Sequence, residues 1–218
     1  MFIPPPLDRV RALYGQGDPA HDFDHVLRVA RLAEHIARME GADVTVVRWA
    51  ALLHDVPVPG GHRDRHHHAA ADFAGAFLAQ HGLDPARTAN VVHCVRAHRF
   101  RGDRIPPQTL EARCLYDADK LDSLGAIGVA RAFAHAGTHR ARVWTTPWQA
   151  IDPDGDRPSS PDYTPVHEFV YKLRRLGDTL FTGTGRALAQ ERQATMQAFF
   201  DALDQEMGFL QALEEGGP

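Results

Sequence analysis

Four ionisable side chains stand where amphipathic helices usually carry apolar ones. His54 and Asp55 directly follow the apolar run at 49–53. His25 lies near the start of an earlier helical pattern, and Asp119 lies near the end of a later one. A buried carboxylate needs a cation or several hydrogen-bond donors, because its desolvation is unfavourable. Two imidazoles and two carboxylates from three helices would bind a divalent metal ion and leave positions open for water and substrate.

Each of these residues has a simpler interpretation when it is taken alone. A single helical histidine is more often solvated or hydrogen-bonded within the protein than bound to a metal. A single aspartate near a proline is more often a cap or a turn former. The adjacent pair at the end of an apolar helix favours a metal site more strongly. The chain also contains 14 histidines, more than its methionine, tryptophan and tyrosine residues together.

Two cations and one further acid accompany these candidates. Arg28 follows His25 by three residues, which is nearly the same helix face, and Lys120 follows Asp119 directly. Guanidinium and ammonium groups at such positions would bind a phosphoryl group and stabilise its charge during transfer. The ordinary alternative for both cations is a solvated helix face. Asp122 would orient Lys120 or a metal-bound water, or it is an acid on the helix surface.

The elements that must position these residues are helices. Apolar residues recur at steps of three and four through nearly the whole chain, and no segment alternates for long enough to predict a strand. Asp43 and Asp84 are typical helix N-caps, and Gly41 and Gly82 are typical stops. We therefore predict an all-α fold with helices over about 22–40, 44–55, 69–81, 85–98, 108–124, 129–136, 166–180 and 186–210.

One long segment, 138–165, differs from the helical pattern. Its five prolines and the run at 152–156 exclude a long helix. A stretch of this length without secondary structure is usually a functional lid or a disordered excursion. Trp144 and Trp148 favour a lid, because disordered tracts rarely carry indoles. We expect this segment to close over a bound ligand and exclude water.

The chain shows no convincing linker, so we predict a single domain over 1–218. Its metal-binding helical core covers about 20–136, the proline-rich loop or lid about 138–165, and two C-terminal helices about 166–212. The stretch 182–185 predicts a helix-breaking turn rather than a phosphate-binding loop, because no strand precedes it.

Composition excludes several classes of protein. The 218 residues carry a net charge of −4 with 44% hydrophobic and 24% charged residues, as a typical soluble globular chain does. This charge provides no field for bulk nucleic-acid binding, no apolar run is long enough to span a membrane, and the first residues do not form a secretory signal. Two cysteines are too few for a disulfide framework, so we expect a cytoplasmic protein.

Three stretches, at 21–29, 50–55 and 117–128, are similar to the motifs of a known family. The order of His25, the pair His54-Asp55 and Asp119 resembles the H…HD…D signature of the HD superfamily of metal-dependent phosphohydrolases. The last stretch resembles the stand-alone bacterial branch of that superfamily. The resemblance extends to the C-terminal helices through Tyr171-Lys172-Leu173 and Thr184-Gly185-Arg186, so that it covers nearly the whole chain.

This resemblance implies a single all-helical HD-type domain that binds one or two divalent ions at His25, His54, Asp55 and Asp119. The ion in the family is commonly manganese, iron, magnesium or another divalent metal. Mn, Fe, Co, Ni and Zn all suit imidazole and carboxylate ligands, and Mg is a further candidate.

Two further histidines are implied by relatives that bind two metals. In those relatives they fall between the histidine-aspartate pair and the last aspartate. His98 fits the second position and also lies on an apolar stripe, one turn past Val95, so it is a candidate for a second metal or for catalysis. His66 fits the first position, although the run 66–68 is equally typical of a solvated turn. Many relatives carry an acid or a lysine just after the pair, whereas Pro57-Val58-Pro59 follows here, so we assign no general acid there.

The activity that the resemblance implies is hydrolysis of phosphate ester or phosphoanhydride bonds in nucleotides by a metal-activated water. Nucleoside mono- or triphosphates are the expected substrates. One alternative is a nucleotide-signal hydrolase that acts on hyperphosphorylated guanosine or a cyclic dinucleotide. Another is a non-catalytic module that senses a nucleotide or a metal. The expected partner is in each case a small phosphate compound, and the sequence is compatible with an oligomer.

Overall fold

The structure is a computed structural model that describes residues 2–14, 23–58, 66–99 and 105–214. All of the regular structure in these ranges is helical, and they contain no strand, which confirms the all-α prediction. The α-helices are α1 (Leu7–Arg11), α2 (Phe23–Glu40), α3 (Val44–Leu53), α4 (His66–Gln80), α5 (Pro85–Ala97), α6 (Leu110–Leu121), α7 (Gly125–Thr138), α8 (Pro165–Tyr171) and α9 (Gly183–Glu214). Single 3₁₀ turns occur at Trp148–Ala150, Leu173–Arg175 and Gly177–Thr179.

The described residues form two compact units. The first runs to Asp122 and also includes Leu180–Gly185, and the second consists of Ser123–Thr179 and the chain from Arg186 onward. The sequence carries no linker signal at these crossings, so this grouping was not anticipated. None of the described helices is long and apolar enough to span a membrane.

Helix α3 is the centre of the first unit. Asp43 caps its start by accepting hydrogen bonds from the Thr45 and Val46 amides at 2.9 and 3.3 Å. Seven of its ten residues are buried, as expected for a helix that is apolar nearly all round. It packs against α2, α5 and α6, which supply the other candidate site residues. The helix ends at Leu53, two residues earlier than predicted, so that His54 and Asp55 lie in the turn beyond it.

Helix α6 also ends earlier than the predicted helix at 108–124. Its last residue is Leu121, and α7 starts at Gly125, whose φ of 73° lies in the left-handed region. A positive φ suits glycine, because it has no side chain to clash with the backbone. The early end places Asp122 at the helix C-cap, where its amide bonds the Ala118 and Lys120 carbonyls.

A buried aspartate fastens α6 to the start of α9. Asp117 accepts hydrogen bonds from the Phe181 amide at 2.9 Å and from the Thr182 amide and hydroxyl at 2.7 and 2.6 Å. The Thr182 hydroxyl in turn accepts from the Gly185 amide at 2.9 Å, as an N-cap does. The predicted turn at 182–185 is therefore the capped start of α9, three residues before the predicted helix start at 186.

The proline-rich segment is anchored to α9 within the second unit. The Trp144 indole donates to Asp204 at 2.6 Å, and the Trp148 indole donates to Asp201 at 2.8 Å. The Trp148 amide also donates to Asp204, at 2.9 Å. Residues 139–164 contain no α-helix, as their prolines predict. Closure of this segment over a ligand stays a prediction.

Helix α8 is shorter than the predicted helix at 166–180. It ends at Tyr171, and two 3₁₀ turns follow at Leu173–Arg175 and Gly177–Thr179. Leu173, Leu176 and Leu180 are nevertheless buried. Their spacing of three and four suits both kinds of helix, which explains why the apolar pattern indicated one longer α-helix.

We expect Asp117→Ala to lower the free energy of unfolding by about 2–4 kcal/mol, because it removes three hydrogen bonds to a buried carboxylate and leaves two amides without their acceptor. Urea unfolding of the purified protein measures this loss. Asp84→Ala is the control, since it removes one exposed cap bond, to the Arg87 amide, and should cost about 1 kcal/mol. Equal losses in the two variants would contradict the role of Asp117.

Candidate metal centre

Three helices bring a histidine pair and an aspartate together inside the first unit. His25 comes from the first turn of α2, His54 from the residue after α3, and Asp119 from the last turn of α6. The Asp119 Oδ1 lies 3.6 Å from His25 Nε2 and 4.0 Å from His54 Nε2. One potential ligand atom from each of the three lies within 4.8 Å of the others. This spacing suits a single cation bound between them.

Asp55 lies beside the same three groups and extends the cluster towards His98. Its Oδ2 is 3.5 Å from His54 Nε2 and 3.9 Å from His25 Nε2, and its Oδ1 is 3.4 Å from His98 Nε2. The side chains of Asp55 and Asp119 each keep 15% of their surface exposed, whereas the histidines are buried. The carboxylates therefore form the side of the cluster that solvent reaches.

Helix ends determine the protonation of two imidazoles. His54 and His98 are the C-cap residues of α3 and α5. Their Nδ1 atoms lie 2.7 Å from the Ala51 carbonyl and 2.6 Å from the Val95 carbonyl. A carbonyl oxygen only accepts, so Nδ1 carries the proton in both rings. In the corresponding neutral tautomer the lone pair is on Nε2, the nitrogen that faces the cluster.

Asp122 holds the ring of His25. Its Oδ2 is 2.7 Å from His25 Nδ1, on the opposite side of the ring from Asp119. The same carboxylate accepts from Arg28 Nε at 2.7 Å and from Arg28 Nη2 at 3.1 Å. A carboxylate behind a ligand histidine fixes its tautomer and raises its basicity. Asp122 therefore bonds His25 and Arg28, and it is fully buried rather than on the helix surface.

The arrangement of lone pairs fits a bound cation. His54 Nε2 is buried and has no hydrogen-bond partner within the part of the chain that the structure describes. It faces oxygen atoms of Asp55 and Asp119, which are acceptors as well. Acceptors that face acceptors in a buried place repel each other unless a positive charge lies among them. A divalent ion with imidazole and carboxylate ligands meets that requirement.

Lys120 lies at the edge of the cluster. Its ammonium donates to Asp119 Oδ2 at 2.5 Å and to the His98 carbonyl at 3.0 Å. Burial by itself would raise the pKa of Asp119, but the Lys120 ammonium holds that pKa well below its ordinary value. Asp119 is therefore an anion across the neutral range. The flexible stem of Lys120 lets it reach sideways to Asp119, although adjacent residues on a helix point about 100° apart.

Of the two histidines predicted for a second metal, the structure describes the side chain of His98 alone. The His98 ring lies against the Asp55 carboxylate. His66 is the first residue of α4, and its side chain lies outside the described residues.

Tyr14 contacts this region and was not predicted from the sequence. Its hydroxyl donates to the Leu52 carbonyl, in the last turn of α3, at 2.8 Å. It lies outside all three motif stretches, and no spacing relates it to His54. Tyr14 is identified by its burial in the first unit, which only the tertiary structure shows.

Comparisons with known proteins agree with this geometry. The HD domain family model matches residues 22–124. The Bacillus subtilis protein YpgQ is 32% identical over 205 residues, which are 91% of this chain and 90% of YpgQ. The crystal structure of YpgQ in complex with ADP superposes with a TM-score of 0.69 at 30% identity and covers 92% of this chain and 97% of that one. A predicted HD superfamily hydrolase from an uncultured Thermotogales bacterium reaches a TM-score of 0.64 at 27% identity, over 92% of this chain and 90% of that one.

The chain belongs to the HD superfamily of metal-dependent phosphohydrolases. The residues whose order resembles its signature, His25, His54, Asp55 and Asp119, are those that meet at the candidate metal centre.

We expect His54→Ala to remove the bound metal, because it deletes the buried Nε2 lone pair. Metal analysis of the purified wild-type protein should find about one or two divalent ions per chain, and the variant should retain almost none. His98→Ala should keep the ion between His25, His54 and Asp119. His81→Ala is the matched control, since its Nδ1 bonds the Phe77 carbonyl at 2.7 Å in the same way but outside the cluster. Full metal content in His54→Ala would contradict the assignment.

Proposed function

We propose that this protein hydrolyses phosphate ester or phosphoanhydride bonds in nucleotides, with nucleoside mono- or triphosphates as substrates. His25, His54, Asp55 and Asp119 would hold a divalent ion, which is one of Mn, Fe, Mg, Co, Ni or Zn. The observation that carries the proposal is the buried Nε2 of His54, which faces two carboxylates without a donor between them. The chemistry that a divalent ion supplies in such a site is activation of a water molecule and polarisation of a phosphoryl oxygen.

The chain's own residues orient the ligands and keep them in the correct protonation state. The Ala51 carbonyl holds the proton of His54 on Nδ1, and the Asp122 carboxylate does the same for His25. The ionised state of Asp119 supplies negative charge for the ion at neutral pH. Because these groups are set before substrate arrives, little reorganisation is needed in the reaction.

His98 is proposed to act next to Asp55 in one of two ways. It holds a second ion together with the Asp55 carboxylate, with His66 as a further ligand, or it exchanges a proton with the substrate. The 3.4 Å between His98 Nε2 and Asp55 Oδ1 supports both roles. A large fall in turnover in His98→Ala, with the first ion retained, is expected in either case.

Arg28 and Lys120 are proposed to bind the phosphoryl group. Arg28 donates to Asp122 through Nε and Nη2, and 32% of its side chain is exposed. A planar guanidinium that is fixed by a carboxylate and reaches solvent is well suited to bind phosphate oxygens. Lys120 contributes a flexible charge beside Asp119. Asp122 is proposed to act through His25 and Arg28 rather than on the substrate.

A nucleotide substrate is supported by the relative YpgQ, whose crystal structure contains ADP. The enzyme interpretation is supported by the complete set of ligands, because a module that only senses a nucleotide need not retain every one. The two alternatives from the sequence remain outcomes of the test below.

The proposal is tested by measuring phosphate and pyrophosphate release from a panel of substrates with each divalent ion in turn. The panel contains nucleoside mono-, di- and triphosphates, hyperphosphorylated guanosine and a cyclic dinucleotide. We expect turnover of a nucleoside mono- or triphosphate that is lost in His54→Ala. Turnover confined to hyperphosphorylated guanosine or the cyclic dinucleotide would assign a signal hydrolase. Binding of nucleotide by the metal-loaded protein without any turnover would assign a sensing module.

We expect Arg28→Lys and Lys120→Ala each to lower kcat and kcat/KM together by about tenfold or more, which corresponds to about 1.4 kcal/mol in the activation free energy. Loss of the planar fork explains the first effect although the charge is kept. Arg31→Lys, on an exposed position of the same helix, is the control for the arginine change. Metal content is measured on the same preparations. If the loss of turnover in Arg28→Lys is explained by a matching loss of bound metal, Arg28 only braces Asp122.

A further inference from the structure

Tyr14 bonds the backbone at the end of α3, just before His54. Its hydroxyl donates to the Leu52 carbonyl at 2.8 Å. Only 6% of Tyr14 is exposed, so water does not readily replace the hydroxyl there. One side-chain group therefore holds the helix end from which both residues of the histidine-aspartate pair project.

The helix end gives this contact its importance. The last carbonyls of an α-helix have no partner within the helix and need one from elsewhere. At the end of α3, the Ala51 carbonyl is bonded by His54 Nδ1 and the Leu53 carbonyl by the Val56 amide at 3.4 Å. The Leu52 carbonyl lies between these two and is bonded by Tyr14. Without the hydroxyl, this buried carbonyl would need another donor, which the turn provides only by changing shape.

The ring of Tyr14 is held at the start of α2. It packs against Phe23 with 5.4 Å between ring centroids, and the Arg11 guanidinium lies 4.5 Å from the centre of the Phe23 ring. Phe23 precedes His25 by two residues. Tyr14 therefore links the helix start that carries His25 to the turn that carries His54 and Asp55.

We propose that Tyr14 is a positioning residue for the metal centre. Its hydroxyl fixes the turn at 52–55, so that His54 Nε2 and the Asp55 carboxylate face His25 and Asp119 before a metal binds. This inference rests on the proposed metal centre. Residues behind metal ligands typically change affinity or activity by about 10–100-fold when they are removed.

The test compares Tyr14→Phe with Tyr171→Phe, using cobalt(II) as the probe. Tyr171 is 8% exposed, and its hydroxyl donates to the Asp156 carbonyl at 3.1 Å, so the control loses a similar bond in the second unit. We expect Tyr14→Phe to weaken cobalt binding by about tenfold or more and to shift the visible spectrum of the bound ion. Tyr171→Phe should lower the melting temperature to a similar extent but keep the wild-type affinity and spectrum.

Two further measurements separate positioning from a general loss of stability. In the metal-free protein, hydrogen exchange of the amides at 52–56 should be faster in Tyr14→Phe than in wild type, while the amides of α5 exchange as before. Phe23→Leu keeps the Tyr14 hydroxyl but removes the contact between the Tyr14 and Phe23 rings. It should weaken cobalt binding less than Tyr14→Phe does.

Wild-type cobalt affinity and spectrum in Tyr14→Phe would overturn the inference and leave the proposed function intact. Equal losses in Tyr14→Phe and Tyr171→Phe would overturn it as well, because they would show an effect of stability alone. Failure of the wild-type protein itself to bind cobalt or any other divalent ion would overturn the proposed function, and the inference with it.

Discussion

Lone pairs on three imidazoles and two carboxylates meet in one largely buried place, and the other features of the first unit serve to hold them there. Such a cluster is unstable by itself, because its members repel and have lost most of their water. The protein meets this constraint by hydrogen-bonding each imidazole at Nδ1, the nitrogen that points away from the cluster. The Nε2 nitrogens then face the carboxylates, where a cation would satisfy both. The stability of the unit and the proposed binding of a metal are therefore linked through the same side chains.

The ends of helices build much of this arrangement. His54 and His98 both follow the last helical residue, and each uses its Nδ1 to bond a carbonyl of the turn before. The same bonds satisfy carbonyls that a helix leaves unpaired and select the tautomer that a metal ligand needs. Capping and ligand preparation are thus one interaction at each of these two sites. His25, at a helix start, has no such carbonyl available and relies on Asp122 instead.

The three aspartates in α6 and at its C-cap each make a different contact. Asp117 and Asp119 are two residues apart, about 200° around a helix, and so they face opposite ways. Asp117 bonds the start of α9, whereas Asp119 lies in the candidate metal centre. Asp122 lies beyond the last turn and reaches the back of His25. A single run of acids therefore connects the packing of the first unit to its site.

The sequence by itself determined the helical periodicity, most helix starts and the set of candidate ligands. Those features are local, since caps, prolines and apolar spacing act over a few residues. The helix ends at 53 and 121, the 3₁₀ turns after Tyr171 and the grouping into two units came only from the tertiary structure, because they depend on packing partners distant in the chain. The same holds for the partner of Asp122 and for Tyr14. His25 and Asp122 are 97 residues apart, and Tyr14 and Leu52 are 38 apart, so no local pattern relates them. Hydrogen bonds between such distant residues are decided by the fold, and they are the bonds that aim the ligands.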